Sequence, residues 1–72
     1  MFDFCVQRFI WENGQFTQSG IERVVASSGE SAAEAVLECR VVDAGPIHFL
    51  AVRVWQYGKA KRTSDVRYFW TA

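Results

Sequence analysis

The stretch 12-ENGQ-15 constrains the fold more than any other, because Asn-Gly supplies the two positive-φ residues that a tight type I′ hairpin turn requires. With Asn13-Gly14 as the turn, Trp11 faces Phe16, Ile10 faces Thr17, Phe9 faces Gln18, Val6 faces Ile21 and Phe2 faces Val25. Side chains alternate between the two faces of a strand. One face of the expected hairpin therefore carries Phe2, Phe4, Val6, Ile10, Ile21 and Val25, interrupted by Arg8, Ser19 and Arg23, and reads as core. The other carries Asp3, Gln7, Gln18 and Glu22, with Phe9, Trp11 and Phe16 gathered beside the turn. Gly20 sits in mid-strand, where a bulge would shift every pairing beyond it.

The segment 27-SSGESAAEAVLECRVV-42 predicts a helix, with Ser31 and Glu34 spaced as a capping box ahead of alanine-rich sequence. At about 100° per residue, Glu30, Glu34 and Glu38 form one stripe, with Ala32, Val36 and Cys39 opposite. Small residues there let a helix lie close to a sheet. The stripe is most simply a solvated face; a decoy for a basic partner is the sharper reading. Gly45-Pro46 closes the segment.

The run 47-IHFLAVRVWQY-57 is β-branched and aromatic enough for a central strand. Leu50, Val52 and Val54 are assigned to the core, since the opposite choice would bury Arg53 unpaired. Phe49, Arg53, Trp55 and Tyr57 then face outward. Residues 58–63 form a basic connection, and 65–71 is the closing strand, with Val66, Tyr68 and Trp70 expected inward and Arg67 and Phe69 outward. The expected architecture is a single α+β domain over residues 1–72. It is a ββαββ chain whose four-stranded, largely antiparallel sheet has one helix packed on one face.

A chain of 72 residues buries little more than about 60% of its unfolded surface, and ordering it costs roughly 1.5 kcal/mol per residue, so apolar surface is scarce. Half of this chain is apolar, which makes it globular, and 15% is aromatic, more rings than one small sheet–helix seam absorbs. The surplus is either scattered singly or gathered into a contact surface. Charge is uneven: residues 1–43 hold three arginines against seven carboxylates, and residues 44–72 hold five cations against one carboxylate, a balance of −4 against +4. Two electrostatic poles, or mutual neutralisation within the fold, follow equally.

Cys5 and Cys39 belong to no Cys/His cluster and are expected as small buried hydrophobes, so neither a metal nor another cofactor is predicted. Met1 leads straight into an aromatic-rich run without a basic start, and no apolar stretch approaches the length of a membrane span. A soluble cytoplasmic protein is expected. His48 is the lone histidine, no activated nucleophile has a base at a recognisable spacing, and Gly58 stands without a phosphate-binding loop. The expectation is a non-enzymatic protein.

Three kinds of partner fit the outer face. A protein is the first, engaging Phe49, Arg53, Trp55, Tyr57, Arg67 and Phe69, the basic Lys59, Lys61 and Arg62, and Trp11 and Phe16 at the hairpin tip. A second copy meeting it sheet to sheet is one such partner. Nucleic acid is the second, with rings stacking bases and the basic loop meeting phosphates, although no RNP-like motif is present. A flat small molecule sandwiched by an oligomer's tryptophans is the third.

In layout, an opening hairpin, 24-VVASSGESAAEAVLEC-39, a long strand and a short closing strand, the chain resembles small phage-encoded inhibitors of the anti-CRISPR kind that act on type I complexes. It shares that layout with orphan proteins of mobile elements. The resemblance spans the chain and involves no signature motif. It implies a non-enzymatic protein that blocks a nucleic-acid-guided complex by occupying a subunit or its DNA path.

Overall fold

A computed structural model of the chain describes residues 1–58 and 65–72. It is α+β, with strands β1 (Phe2–Glu12) and β2 (Gln15–Ala26), helix α1 (Gly29–Leu37), then β3 (Val41–Val42), β4 (Leu50–Gln56) and β5 (Arg67–Thr71). The strands form one antiparallel sheet in the order β2-β1-β4-β5-β3. The fifth strand, absent from the sequence expectation, is the two-residue β3, which caps the β5 edge. Its Val41 is buried, and the Val41 amide donates to Glu34 Oε2 at 3.3 Å, which ties the strand to the helix.

The first hairpin turns at Asn13 (φ 50°) and Gly14 (φ 76°), and Trp11–Phe16, Ile10–Thr17 and Phe9–Gln18 pair as expected. Beyond them a bulge at Ser19-Gly20 inserts one residue into β2, so Gln7 pairs with Ile21 and Val6 with Glu22. A one-residue slip exchanges the faces of a strand. Ile21, Arg23 and Val25 therefore leave the helix side, and Glu22, Val24 and Ala26 replace them.

Under the helix, Val6, Val52, Val54 and Phe69 lose essentially all exposure, joined by Ala26, Val41 and the half-buried Phe4 and Val24. Burial of each of the four contributes about 1.5–3 kcal/mol. Ala32 and Ala33 are fully buried against this surface, which lets the helix sit low on the sheet. The N-cap is Ser28 and not Ser31: its side chain accepts from the Ser31 amide at 3.1 Å, and Glu34 is used instead to hold β3. Glu38 ends the helix in the left-handed conformation (φ 57°), leaving Cys39 exposed while Cys5 is buried as expected.

The closing strand is inverted relative to expectation. Val52 pairs with Phe69 and Val54 with Arg67, so Phe69 (1% exposed) and Arg67 lie on the helix face, and Tyr68, paired with Arg53, lies on the outer face. Pairing with the two core valines decides this, because cross-strand partners share a face. A second bulge, with Ala51 as the extra residue of β4, brings Leu50 opposite Trp70 and off the core row. The long strand expected from Ile47 starts only at Leu50; Ile47–Phe49 form a 3₁₀ turn. Gly45 and Pro46 do not stop the helix. They pack on Trp70, whose indole N–H donates to the Pro46 carbonyl at 2.8 Å.

Candidate functional site

The outer face is built from the residues that alternate away from the helix: Asp3, Cys5, Gln7, Phe9 and Trp11 on β1, with Arg53 and Trp55 on β4 and Tyr68 on β5. β1 pairs with β4 only over Phe4–Arg8, so the hairpin tip runs on past β4 as a two-stranded arm. Such a ribbon is marginal in water by itself. Rings steady it. Phe16 meets Trp11 at 4.8 Å and Phe9 at 5.7 Å, both edge to face, and Phe9 stacks on Tyr68 with centroids 6.5 Å apart and planes at 20°. Each such pair is worth about 0.5–1.5 kcal/mol beyond burial.

At the centre, the bulge acquires a purpose. It presents the Ser19 carbonyl to Gln7 Nε2 at 3.0 Å, and Gln7 Oε1 accepts from Arg53 Nε at 2.7 Å. Gln7 is only 8% exposed, so this amide is satisfied at both ends. The Arg53 guanidinium lies 6.0 Å from the Phe9 ring and 5.5 Å from Trp55. At the hairpin's open end, Arg23 pairs with Asp3 at 3.1 Å and its guanidinium covers the Tyr57 ring at 3.6 Å. Trp55 and Cys5 are buried, whereas Trp11, Tyr57, Tyr68, Ile21 and Val25 are exposed.

Of the residues singled out in the sequence, the structure brings Trp11, Phe16, Arg53 and Trp55 onto one face, with Tyr57 at its margin. It does not bring Phe69 or Arg67 there: Phe69 is core, and Arg67 on the same side lies 4.8 Å over its ring. Phe49 sits in the 3₁₀ turn against His48, outside the sheet. Lys59, Lys61 and Arg62 lie outside the described residues. Tyr68 was missed because the triplet 68-YFW-70 offers a large ring to either face. Ile21, Arg23 and Val25 were missed because the bulge was not placed. Gly20 was the signal for them.

Among the described residues no cluster of three His, Cys, Asp or Glu could hold a metal ion, and no helix is long and apolar enough to cross a membrane. A cleft of about 250 Å³ beside Gly29, Gln56 and Asp65 has Phe4 and Trp55 in its lining. No protein-family model, curated protein or solved structure matches the chain.

Proposed function

We propose that this protein acts by binding another protein through the outer face of its sheet and the projecting hairpin. The observation that carries the reading is the exposure of Trp11 and Tyr68, 45% and 41%, on the face that holds Arg53. Trp, Tyr and Arg are the residue types that dominate binding energy at protein interfaces, and rings already fixed by neighbours lose little freedom on docking. In keeping with the layout resemblance, the first partner is a subunit of a type I nucleic-acid-guided complex, occupied without any chemical step. A second copy of the chain is the other protein partner, and mass in solution tests for it.

The test is target-duplex binding by a purified type I complex, titrated with this protein and with its Trp11→Ala/Tyr68→Ala variant after circular dichroism has shown both folded. Truncating two such rings is expected to weaken inhibition by about a thousandfold where the losses add, and by no less than about thirtyfold where the two rings act as one unit, since each hot-spot side chain contributes ~2 kcal/mol or more. Equal inhibition by the variant removes the face from the mechanism; no inhibition by either protein removes this partner. Exposed rings beside a cation also suit single-stranded nucleic acid. Binding of a labelled oligonucleotide that collapses as salt is raised would favour that occupant instead.

A further inference from the structure

We infer that Arg53 is the docking point for a carboxylate, so that the protein partner presents an aspartate or glutamate among apolar side chains. The inference rests on the outer face being a protein-binding surface and gives that surface its chemistry. Two of the arginines around the hairpin already have acids: Arg8 lies 3.5 Å from Glu22 and Arg23 lies 3.1 Å from Asp3. Arg53 has no carboxylate within ion-pair distance among the described residues. Its Nε is spent on Gln7 Oε1, a buried amide anchored in turn by the Ser19 carbonyl, so the guanidinium is held in one orientation. Among the described residues the terminal nitrogens have no hydrogen-bond partner, and no buried side-chain polar atom there lacks one, so that edge of the fork keeps contact with solvent.

A half-buried, oriented guanidinium with two outward N–H groups matches a planar carboxylate, which it can hold through two parallel, charge-assisted hydrogen bonds. Phe9 flanks it and the exposed Tyr68 stands opposite on β5, so apolar groups beside the incoming acid would meet these rings and exclude water from the pair. A phosphate fits the same fork. A nucleic-acid strand, however, needs a track of cations. Around Arg53 the described face has Arg23 neutralised by Asp3, and the arm's only charged residue beyond Arg8 is Glu12. Among the described residues, a single acidic side chain is the better complement.

The experiment selects phage-displayed random peptides on the full chain, then measures a synthetic copy of the most enriched peptide by calorimetry. The expected peptide carries Asp or Glu beside apolar residues. Arg53→Gln, and the amide replacement of that acid in the peptide, should each weaken binding about tenfold or more, with the two changes together costing little more than either alone. Arg53→Lys keeps the charge without the fork and should fall between, which also guards against a variant that merely unfolds; Arg40→Gln, at the β3 edge, should change nothing. Failure to enrich any peptide, enrichment without acids, additive losses, or tighter Arg53-dependent binding of oligo-deoxythymidine would each overturn the inference. If Trp11→Ala/Tyr68→Ala weakens the peptide and Arg53→Gln does not, only the inference falls. If none of these changes matters, the outer-face reading falls with it.

Discussion

Beneath the helix the sheet presents Val6, Val52, Val54 and Phe69, side chains with almost no exposed surface and no polar group among them. On the reverse, the same strands present Cys5, Gln7 and Trp55, all buried, with the half-buried Arg53 and the exposed Tyr68, and an amide, a guanidinium and rings hold one another. The first surface is closed by shape and apolar burial, so any change of volume is felt in full. The second is held by contacts worth little more than about 1 kcal/mol each, and several of its rings remain open. Apolar burial is concentrated on one side and open rings on the other, with strand alternation as the partition.

Adjacent residues give the most severe test of that division. Phe69→Ala should cost about 3–5 kcal/mol, as expected for a fully buried ring, whereas Tyr68→Ala, one residue earlier and on the opposite face, should cost only about 1–2 kcal/mol through its stack on Phe9 and its partial burial. Urea denaturation of the two variants measures both. Equal losses would show that the faces do not differ in the way described.

That pair also shows where sequence reasoning reached and where it stopped. The Asn13-Gly14 turn and the three pairs next to it follow from local backbone chemistry, and so does a helix with alanines on its sheet side. Gly20 announced a possible bulge, but alternation could not place it in a strand with polar residues on both faces. Residues 68–70 carry large rings in both directions, so their facing depends on register against Val52 and Val54, a tertiary fact. β3 has only two residues, too few for any periodicity. Arg53, Trp55, Trp11 and Phe16 share the outer face, a placement legible in the sequence because a cation and rings on otherwise well-patterned strands need an outer face.

The rim where the two sides meet should respond at an intermediate level. A Cβ added at Gly45 would lie 2.8 Å from Trp70 Cδ1, closer than packed atoms allow, so Gly45→Ala must displace the indole from its bond to the Pro46 carbonyl. A loss of about 1–3 kcal/mol is expected, with a changed tryptophan emission as the accompanying sign. Ser28→Ala removes the side chain that accepts from the Ser31 amide and should cost about 1 kcal/mol in the same denaturation assay. A larger loss from the cap than from Phe69 would mean that the helix is held by its end and not by its buried face.

The smallest effect is expected where charge alone joins helix side to hairpin. Arg8 lies 3.5 Å from Glu22, both side chains about half exposed, and it also donates to the Val36 carbonyl in the last turn of α1 at 3.2 Å. Glu22→Gln removes the ion pair and leaves the carbonyl bond, in which a cation meets the negative end of the helix. The change should cost under about 0.5 kcal/mol, and the difference from the parent should vanish in high salt, because exposed pairs are largely screened. A salt-independent loss above about 1 kcal/mol would instead make Arg8 and Glu22 part of what closes the helix onto the sheet. The closed face would then owe its stability to polar contacts as the open one does, and the division between them would have to be redrawn.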